Sequence, residues 1–261
     1  MTLIAIWFRE EMNALYAVAD SRLTASGGTS VLTNSAPKFF LCRVRCLQES
    51  RVITDSEIII GYAGSASVAF TTIATIQNCL SNLSVKSNDR PLTMMDIGQF
   101  SQKILEKSYR DFGAIWAQDA RCDLVIFGCL PSENRLVSMH ISCHIDNDIA
   151  HTKLSDLAIV EQGILCSYGS GANYFTSELK KEMESTGKCY PFNLITRILK
   201  NEERPDVGGH LQIAFATSEC VQIPLIISED DCGQKDVYYL GRGSLDLGKV
   251  GSHSIGTTAI G

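Results

Sequence analysis

Hydrophobic and polar positions along this chain alternate between two rhythms. Thr2–Trp7 is a short apolar run and Leu15–Ala19 repeats it, with Arg9–Glu11 and Asn13 between them as a charged connection. That pattern predicts two strands of a hairpin. After a glycine-serine turn at Ala25–Ser30, Lys38–Cys42 and Ile58–Tyr62 read as further strands, and the polar stretch Arg43–Glu57 as an exposed loop or an extended hairpin. From Ser65 the spacing becomes helical, with Val68, Thr72, Ile73, Ile76, Cys79 and Leu80 on one face. The polar segment Ser81–Pro91 ends that helix. A second amphipathic stretch runs from about Thr93 to Trp116, carrying Ile97, Phe100, Ile104, Leu105 and Tyr109 on one side.

Strands resume at Cys122–Cys129 and Arg135–Ile141, joined by a Pro-Ser-Glu-Asn turn. Cys143–Leu157 is polar and holds His144, Asp146, Asn147, Asp148 and His151 without regular ligand spacing, so a solvated turn is expected there rather than a metal cluster. Ile164–Tyr168 predicts a strand ended by Gly169, Ser170 and Gly171. Helices follow at Ala172–Glu184 and Pro191–Asn201, and Leu211–Ala216 with Val221–Ile227 forms a closing hairpin. From Gly241 onward the chain is rich in Gly, Ser and Thr, and reads as a tail that is disordered alone or lies along a neighbouring subunit. Strands and helices come in blocks rather than in strict alternation. Blocks predict an α+β architecture, two antiparallel sheets packed together with helices outside.

Composition narrows the field. The 261 residues are 45% hydrophobic and 20% charged, enough to bury a sizeable core. Their formal net charge of −6 leaves no basic surplus for nucleic acid. The most apolar stretch, Ile58–Ala74, is interrupted by Gly, Ser and Thr and does not predict a membrane span. Met1–Ile6 is followed at once by Arg9, Glu10 and Glu11, which is not a secretory pattern, so the expected location is cytoplasmic and the ten cysteines are expected as reduced thiols. Cys42 and Cys46 form a close pair with no second pair at zinc-finger distance.

The candidate chemistry begins at Thr2. Removal of Met1 before a small residue would leave an N-terminal threonine, whose α-amine (ordinary pKa about 7.7–8.0) can serve as base for its own hydroxyl. Around it, in order, stand Ala17-Val18-Ala19-Asp20-Ser21-Arg22, Asn34-Ser35-Ala36-Pro37-Lys38, Gly61-Tyr62-Ala63-Gly64-Ser65, Gly169-Ser170-Gly171 and Pro205-Asp206-Val207-Gly208-Gly209. This succession resembles the proteasome β-subunits and the proteasome-related peptidase subunit of bacterial heat-shock proteases, within the N-terminal-nucleophile hydrolases. It spans residues 2 to about 227, with insertions.

The resemblance implies a four-layer αββα sandwich over residues 2–230, with insertions near 43–57 and 143–157 and a C-terminal extension at 231–261. It implies Thr2 as nucleophile, Lys38 as the cation that lowers the pKa of the amine, and Asp20 as the carboxylate that partners the lysine. Arg22 supports Asp20, Gly64 offers an N–H to the oxyanion, and Ser170 and Asp206 orient the terminal amine and nucleophile. No metal or organic cofactor is implied. The implied partners are a peptide or polypeptide substrate and further copies of the chain in a ring or other closed assembly, with an ATP-driven unfoldase as a further candidate. Three features stay open at this level. Ser170 is equally placed to cap the helix that starts near Ala172. The family's serine about three residues after the late aspartate is replaced by Gly209. Finally, the first strand can be laid with Met1 rather than Thr2 at the nucleophile position, and a one-residue slip reverses every side chain. The alternatives to a threonine peptidase are a non-catalytic structural subunit of the same fold, and an amide hydrolase or peptide ligase using the same nucleophile.

Overall fold

The computed structural model describes residues 2–25, 30–86, 89–116, 120–146, 149–162, 165–187, 190–202, 204–229 and 235–243, with short pieces at 249–250, 253–254 and 259–260. In chain order the strands and helices are β1 (Ile4–Arg9), β2 (Ala14–Ala19), β3 (Leu23–Thr24), β4 (Val31–Thr33), β5 (Phe39–Gln48), β6 (Arg51–Gly64), α1 (Ala66–Leu80), β7 (Leu83–Ser84) and α2 (Met94–Trp116). Then follow β8 (Cys122–Cys129), β9 (Leu136–Asp146), β10 (Ile149–Asp156), α3 (Ile159–Gln162), β11 (Cys166–Tyr168), α4 (Ala172–Thr186), α5 (Pro191–Lys200) and β12 (Gln212–Ala216). The chain continues through β13 (Val221–Gln222), β14 (Leu225–Glu229), β15 (Lys235–Tyr239) and β16 (Arg242–Gly243). The fold is mixed α+β with several sheets.

Two sheets carry the centre of the molecule. One has the order β11-β1-β2-β12-β13 and the other β10-β9-β8-β6-β5-β7. The period-two geometry of a strand sends neighbouring residues to opposite faces, and here both faces are buried. Ile4 and Ile6 of β1 join Leu15, Ala17 and Ala19 of β2 in a cluster with Phe39, Ile59, Val125 and Phe127 of the larger sheet. On the other face of β1 and β2, Ala5 and Val18 pack with Phe175, Leu194, Ile195 and Ile198 of α4 and α5. On the far side of the larger sheet, Ile58, Ile60, Tyr62, Leu124 and Ile126 meet Val68, Ile73 and Ile76 of α1 and Ile97, Leu105 and Tyr109 of α2. Burial on both faces explains why runs such as Ile58-Ile59-Ile60 lack the polar alternation of a half-exposed strand.

Several sequence expectations change in detail. Arg43–Glu57 is the extended hairpin, not the loop: β5 and β6 pair from Phe39↔Gly61 out to Gln48↔Arg51. In the polar stretch 143–157, residues 143–146 and 149–156 are also strand, because β9 runs on to Asp146 and β10 pairs back with it from Ile149↔Asp146 to Asp156↔Met139. The second half of this stretch is β10, an edge strand of the sheet, where hydrophobic periodicity is weak. Cys79, expected on the buried face of α1, is exposed. The closing hairpin is shorter than expected: β12 pairs with β13, whereas β14 leaves to pair antiparallel with β15 in a separate sheet. Most of the tail after Gly243 lies outside the described residues.

Candidate active site

Thr2 stands two residues before β1 and is buried, 1% exposed. Register fixes its place. β1 pairs with β2 as Ile4↔Ala19, so the start of β1 lies beside Asp20 at the end of β2. There the Leu3 amide donates to Asp20 Oδ1 at 3.0 Å and the Asp20 amide to the Leu3 carbonyl at 3.2 Å. On its other side β1 pairs with β11, whose exit brings Gly169 onto the Thr2 carbonyl. Gly169 has φ +94°, and a Cβ there would lie 2.0 Å from Thr2 O. Only glycine fits this approach.

Lys38 enters from the segment before β5 and is as buried as Thr2. Its ammonium donates to Thr2 Oγ1 at 2.7 Å and to the Arg22 carbonyl at 2.9 Å, and lies 5.1 Å from the centre of the Tyr62 ring. Burial pushes the Lys38 pKa down, against the opposing charge of Asp20. Asp20 is fully enclosed. Its carboxylate accepts from the amides of Leu3, Arg22 (3.3 Å) and Gly208 (3.2 Å). Burial pushes the Asp20 pKa up, opposed by Lys38 and by the Leu3 and Gly208 amides. A threonine hydroxyl, a lysine amine with a depressed pKa and a buried carboxylate therefore share one site.

Arg22 holds this site by a different route from the one expected. Its guanidinium does not turn to Asp20. It bonds Asn34 Oδ1 (2.9 Å), the Pro205 carbonyl (3.2 Å) and Glu202 Oε1 (3.0 Å), and lies against Gly208, where a Cβ would sit 2.4 Å from Cζ. What reaches Asp20 and Lys38 is the Arg22 backbone, through its N–H and C=O. The Gly208-Gly209 pair that departs from the family pattern thus has a local cause. Gly208 makes room for the arginine, and Gly209, with φ +77°, faces Ser21 and Asn34.

Ser170 hydrogen-bonds the Asp206 carboxylate. It does not cap the helix: Gly171 occupies the N-cap of α4, with no side-chain cap hydrogen bond. Asp206 also takes both arms of Arg204, Nε to Oδ1 at 2.8 Å and Nη2 to Oδ2 at 3.0 Å. Burial raises the Asp206 pKa, but Arg204 and Ser170 outweigh it and hold the carboxyl below its ordinary value. Gly64, at the exposed end of β6, has φ +109° and faces the Arg121 carbonyl, where a Cβ would lie at 2.3 Å. The strand-to-helix turn requires glycine there for packing alone.

Sequence reasoning missed three neighbours. Arg204 was signalled only by its closeness to Asp206. Tyr62 sits inside the quoted Gly-Tyr-Ala-Gly run, and its ring flanks the ammonium. Gln212 opens β12 and holds the backbone on both sides of Pro37, a role that becomes visible only when residues 174 positions apart are brought together. His144 and His151 stack across the β9–β10 hairpin with ring centres 5.8 Å apart. Among the described residues no three His, Cys, Asp or Glu side chains gather as a metal site, and no helix is long and apolar enough to cross a membrane.

The fold is that of proteasome-type β-subunits of the ancestral, or Anbu, kind. Anbu from Yersinia bercovieri superposes with a TM-score of 0.57 at 15% identity, over 85% of this chain and 82% of that one. An Anbu mutant from Hyphomicrobium sp. strain MC1 gives 0.54 at 14% identity, over 85% of each chain. Anbu from Pseudomonas aeruginosa, solved as a helical assembly, gives 0.54 at 14%, over 85% of this chain and 81% of that one. At these identities the likeness is one of fold. No protein-family model matches the chain, and no curated protein matches it in sequence.

Proposed function

We propose that this chain is an N-terminal threonine peptidase that cleaves peptide bonds through an acyl-enzyme ester. The observation that carries the proposal is the buried 2.7 Å contact between Lys38 Nζ and Thr2 Oγ1. With β1 paired as Ile4↔Ala19, the hydroxyl of the second residue meets the lysine, which supports Thr2 rather than Met1 at the nucleophile position.

Once Met1 is removed, Thr2 Oγ1 attacks the substrate carbonyl while the Thr2 α-amine accepts the hydroxyl proton, directly or through one water. Lys38 places positive charge beside that amine and keeps more of it unprotonated near neutral pH, and Asp20 holds the charge balance. The Gly64 N–H stabilises the oxyanion. The tetrahedral species collapses as the amine returns its proton to the leaving nitrogen, leaving an ester on Thr2 that water hydrolyses. Ser170 and Asp206 orient the terminal amine, with Arg204 holding Asp206. The stack of helices, sheet, sheet and helices supports a four-layer αββα sandwich over residues 2–230 with 231–261 as an extension. The Pseudomonas aeruginosa Anbu forms a helical assembly; by that likeness this chain also works as a homo-oligomer on peptide or polypeptide substrates in the cytoplasm.

Intact-mass measurement of the purified protein tests the first requirement, with loss of Met1 expected. Thr2→Ala is then expected to abolish cleavage of fluorogenic peptides. Retained Met1 in the assembled particle, or full turnover by Thr2→Ala, would reject the mechanism and favour a non-catalytic subunit. Product analysis with an added amine separates hydrolysis from ligation.

A further inference from the structure

The reach of Lys38 to Thr2 is set by backbone that belongs to no strand, residues 35–38 before β5. We propose that Gln212 is a positioning residue for the reaction: its side-chain amide fixes residues 36–38 and so sets the approach of the Lys38 ammonium to Thr2 Oγ1. The proposal rests on the peptidase reading above.

The geometry is compact. Gln212 is 1% exposed. Its Oε1 accepts the Lys38 amide at 2.8 Å, and its Nε2 donates to the Ala36 carbonyl at 2.7 Å. One planar group therefore clamps the chain on both sides of Pro37, which has no N–H of its own. The side-chain amide takes the part that a neighbouring strand's peptide group would play in a ladder. The clamped segment is held at two more points, by the Ala36 amide on the Ser21 carbonyl (2.9 Å) and the Tyr62 amide on the Lys38 carbonyl (3.2 Å). Gln212 lies opposite Ala19 in the β2–β12 register, next to Asp20. The clamp, the carboxylate and the start of β1 thus share one strand end. No other side-chain type of this length offers both an acceptor and a neutral donor in one plane. Glu keeps the acceptor but loses the donor, and Leu loses both.

A glutamine that merely satisfied two buried backbone groups would affect stability and leave the chemistry of Lys38 alone. The test reads the chemistry. The probe is a fluorogenic peptide that the processed wild-type assembly cleaves, followed over pH in wild type, Gln212→Leu and the isosteric Gln212→Glu. Gln212→Leu is expected to lower kcat about 10–100-fold, the scale of a small misplacement of a reacting group, with little change in KM. Gln212→Glu adds negative charge near Lys38, favours the protonated ammonium and moves the alkaline limb of the kcat profile, where that ammonium is lost, to higher pH. In parallel, NMR of isotope-labelled lysine follows the Lys38 titration, assigned by its loss in Lys38→Ala, and it is expected to move in both variants. Wild-type kcat, pH profile and Lys38 titration in both variants would overturn the proposal. If the wild type cleaves no peptide, the peptidase reading falls by itself. The lysine titration then decides the clamp: movement in the variants supports it and constancy overturns it.

Discussion

Asp20 and Lys38 show how one buried pair can be both a cost and a tool. Neither ion would enter the protein interior alone, and each meets its requirement partly through backbone: three amides on Asp20 and the Arg22 carbonyl on Lys38. The two make no direct salt bridge and act on each other through space, so removing one leaves the other buried without its opposing charge. Lys38→Met is expected to destabilise the fold by about 3–5 kcal/mol, and Asp20→Asn also to destabilise it because one of its three amide donors then faces an NH2. The double variant is expected to cost clearly less than the sum, as read by urea unfolding; strict additivity would show that the two do not interact. The pH dependence has a definite sign. The Lys38 pKa is lowered in the fold, so its contribution is present above the ordinary lysine value and is lost as pH falls through the native one. The Asp20 pKa is raised, so its contribution is present below the ordinary aspartate value and is lost as pH rises. Lys38→Met is therefore expected to remove the gain in stability toward alkaline pH.

Among the elements, α2 shows a boundary fixed by chemistry. Thr93 Oγ1 accepts the Asp96 amide at 3.3 Å, and Asp96 Oδ2 accepts the Thr93 amide at 2.9 Å, a reciprocal cap on the first turn. Arg90 adds a two-armed contact to Asp96 and, with Thr93, holds the Asp96 carboxyl far below its ordinary value. Thr93→Ala is expected to cost about 1 kcal/mol and Thr93→Ser much less, measured by chemical denaturation. Part of the cap's contribution disappears as pH falls below the ordinary aspartate value, since protonated Asp96 loses its charge-assisted bonds. The start of this helix was legible in sequence from its amphipathic face. β10 was not, because strand pairing of polar residues such as His144↔His151 and Lys153↔Ser142 leaves no hydrophobic period to read.

At the scale of the molecule, apolar side chains remain at the surface: Leu32 is 66% exposed and Tyr190 59%. Single exposed side chains of this kind are ordinary at a protein surface, so particle size is what tests the proposed homo-oligomer. The purified protein is expected to sediment at several multiples of its 28.6 kDa chain mass. A single monomer boundary at micromolar concentration would remove the assembly from the proposal. Such a result would leave the chemistry at Thr2 to be judged separately by the mature terminus and the Thr2→Ala variant.

The α+β class and the main helices were legible because the switch of apolar spacing from runs to helical periods is local, carried by residues such as Ile58-Ile59-Ile60 and Ile97, Phe100 and Ile104. The residue types of the candidate site were legible from the order of short motifs. Their geometry was not. Whether Thr2 or Met1 would meet Lys38 depends on the β1–β2 register; a one-residue slip reverses every side chain, but Leu3-Ile4-Ala5-Ile6 is apolar on both faces, so the local sequence fits either register. What Gly208 does depends on an arginine more than 180 positions earlier and what Gly209 does on Ser21 and Asn34, so their departure from the expected pattern could be noticed but not explained. Sequence by itself determined the kinds of segment and the chemical groups available, since both follow from neighbouring residues. Tertiary structure alone decided which groups meet, because backbone amides and carbonyls from distant segments, which carry no sequence signature, complete the surroundings of Asp20, Lys38 and Thr2.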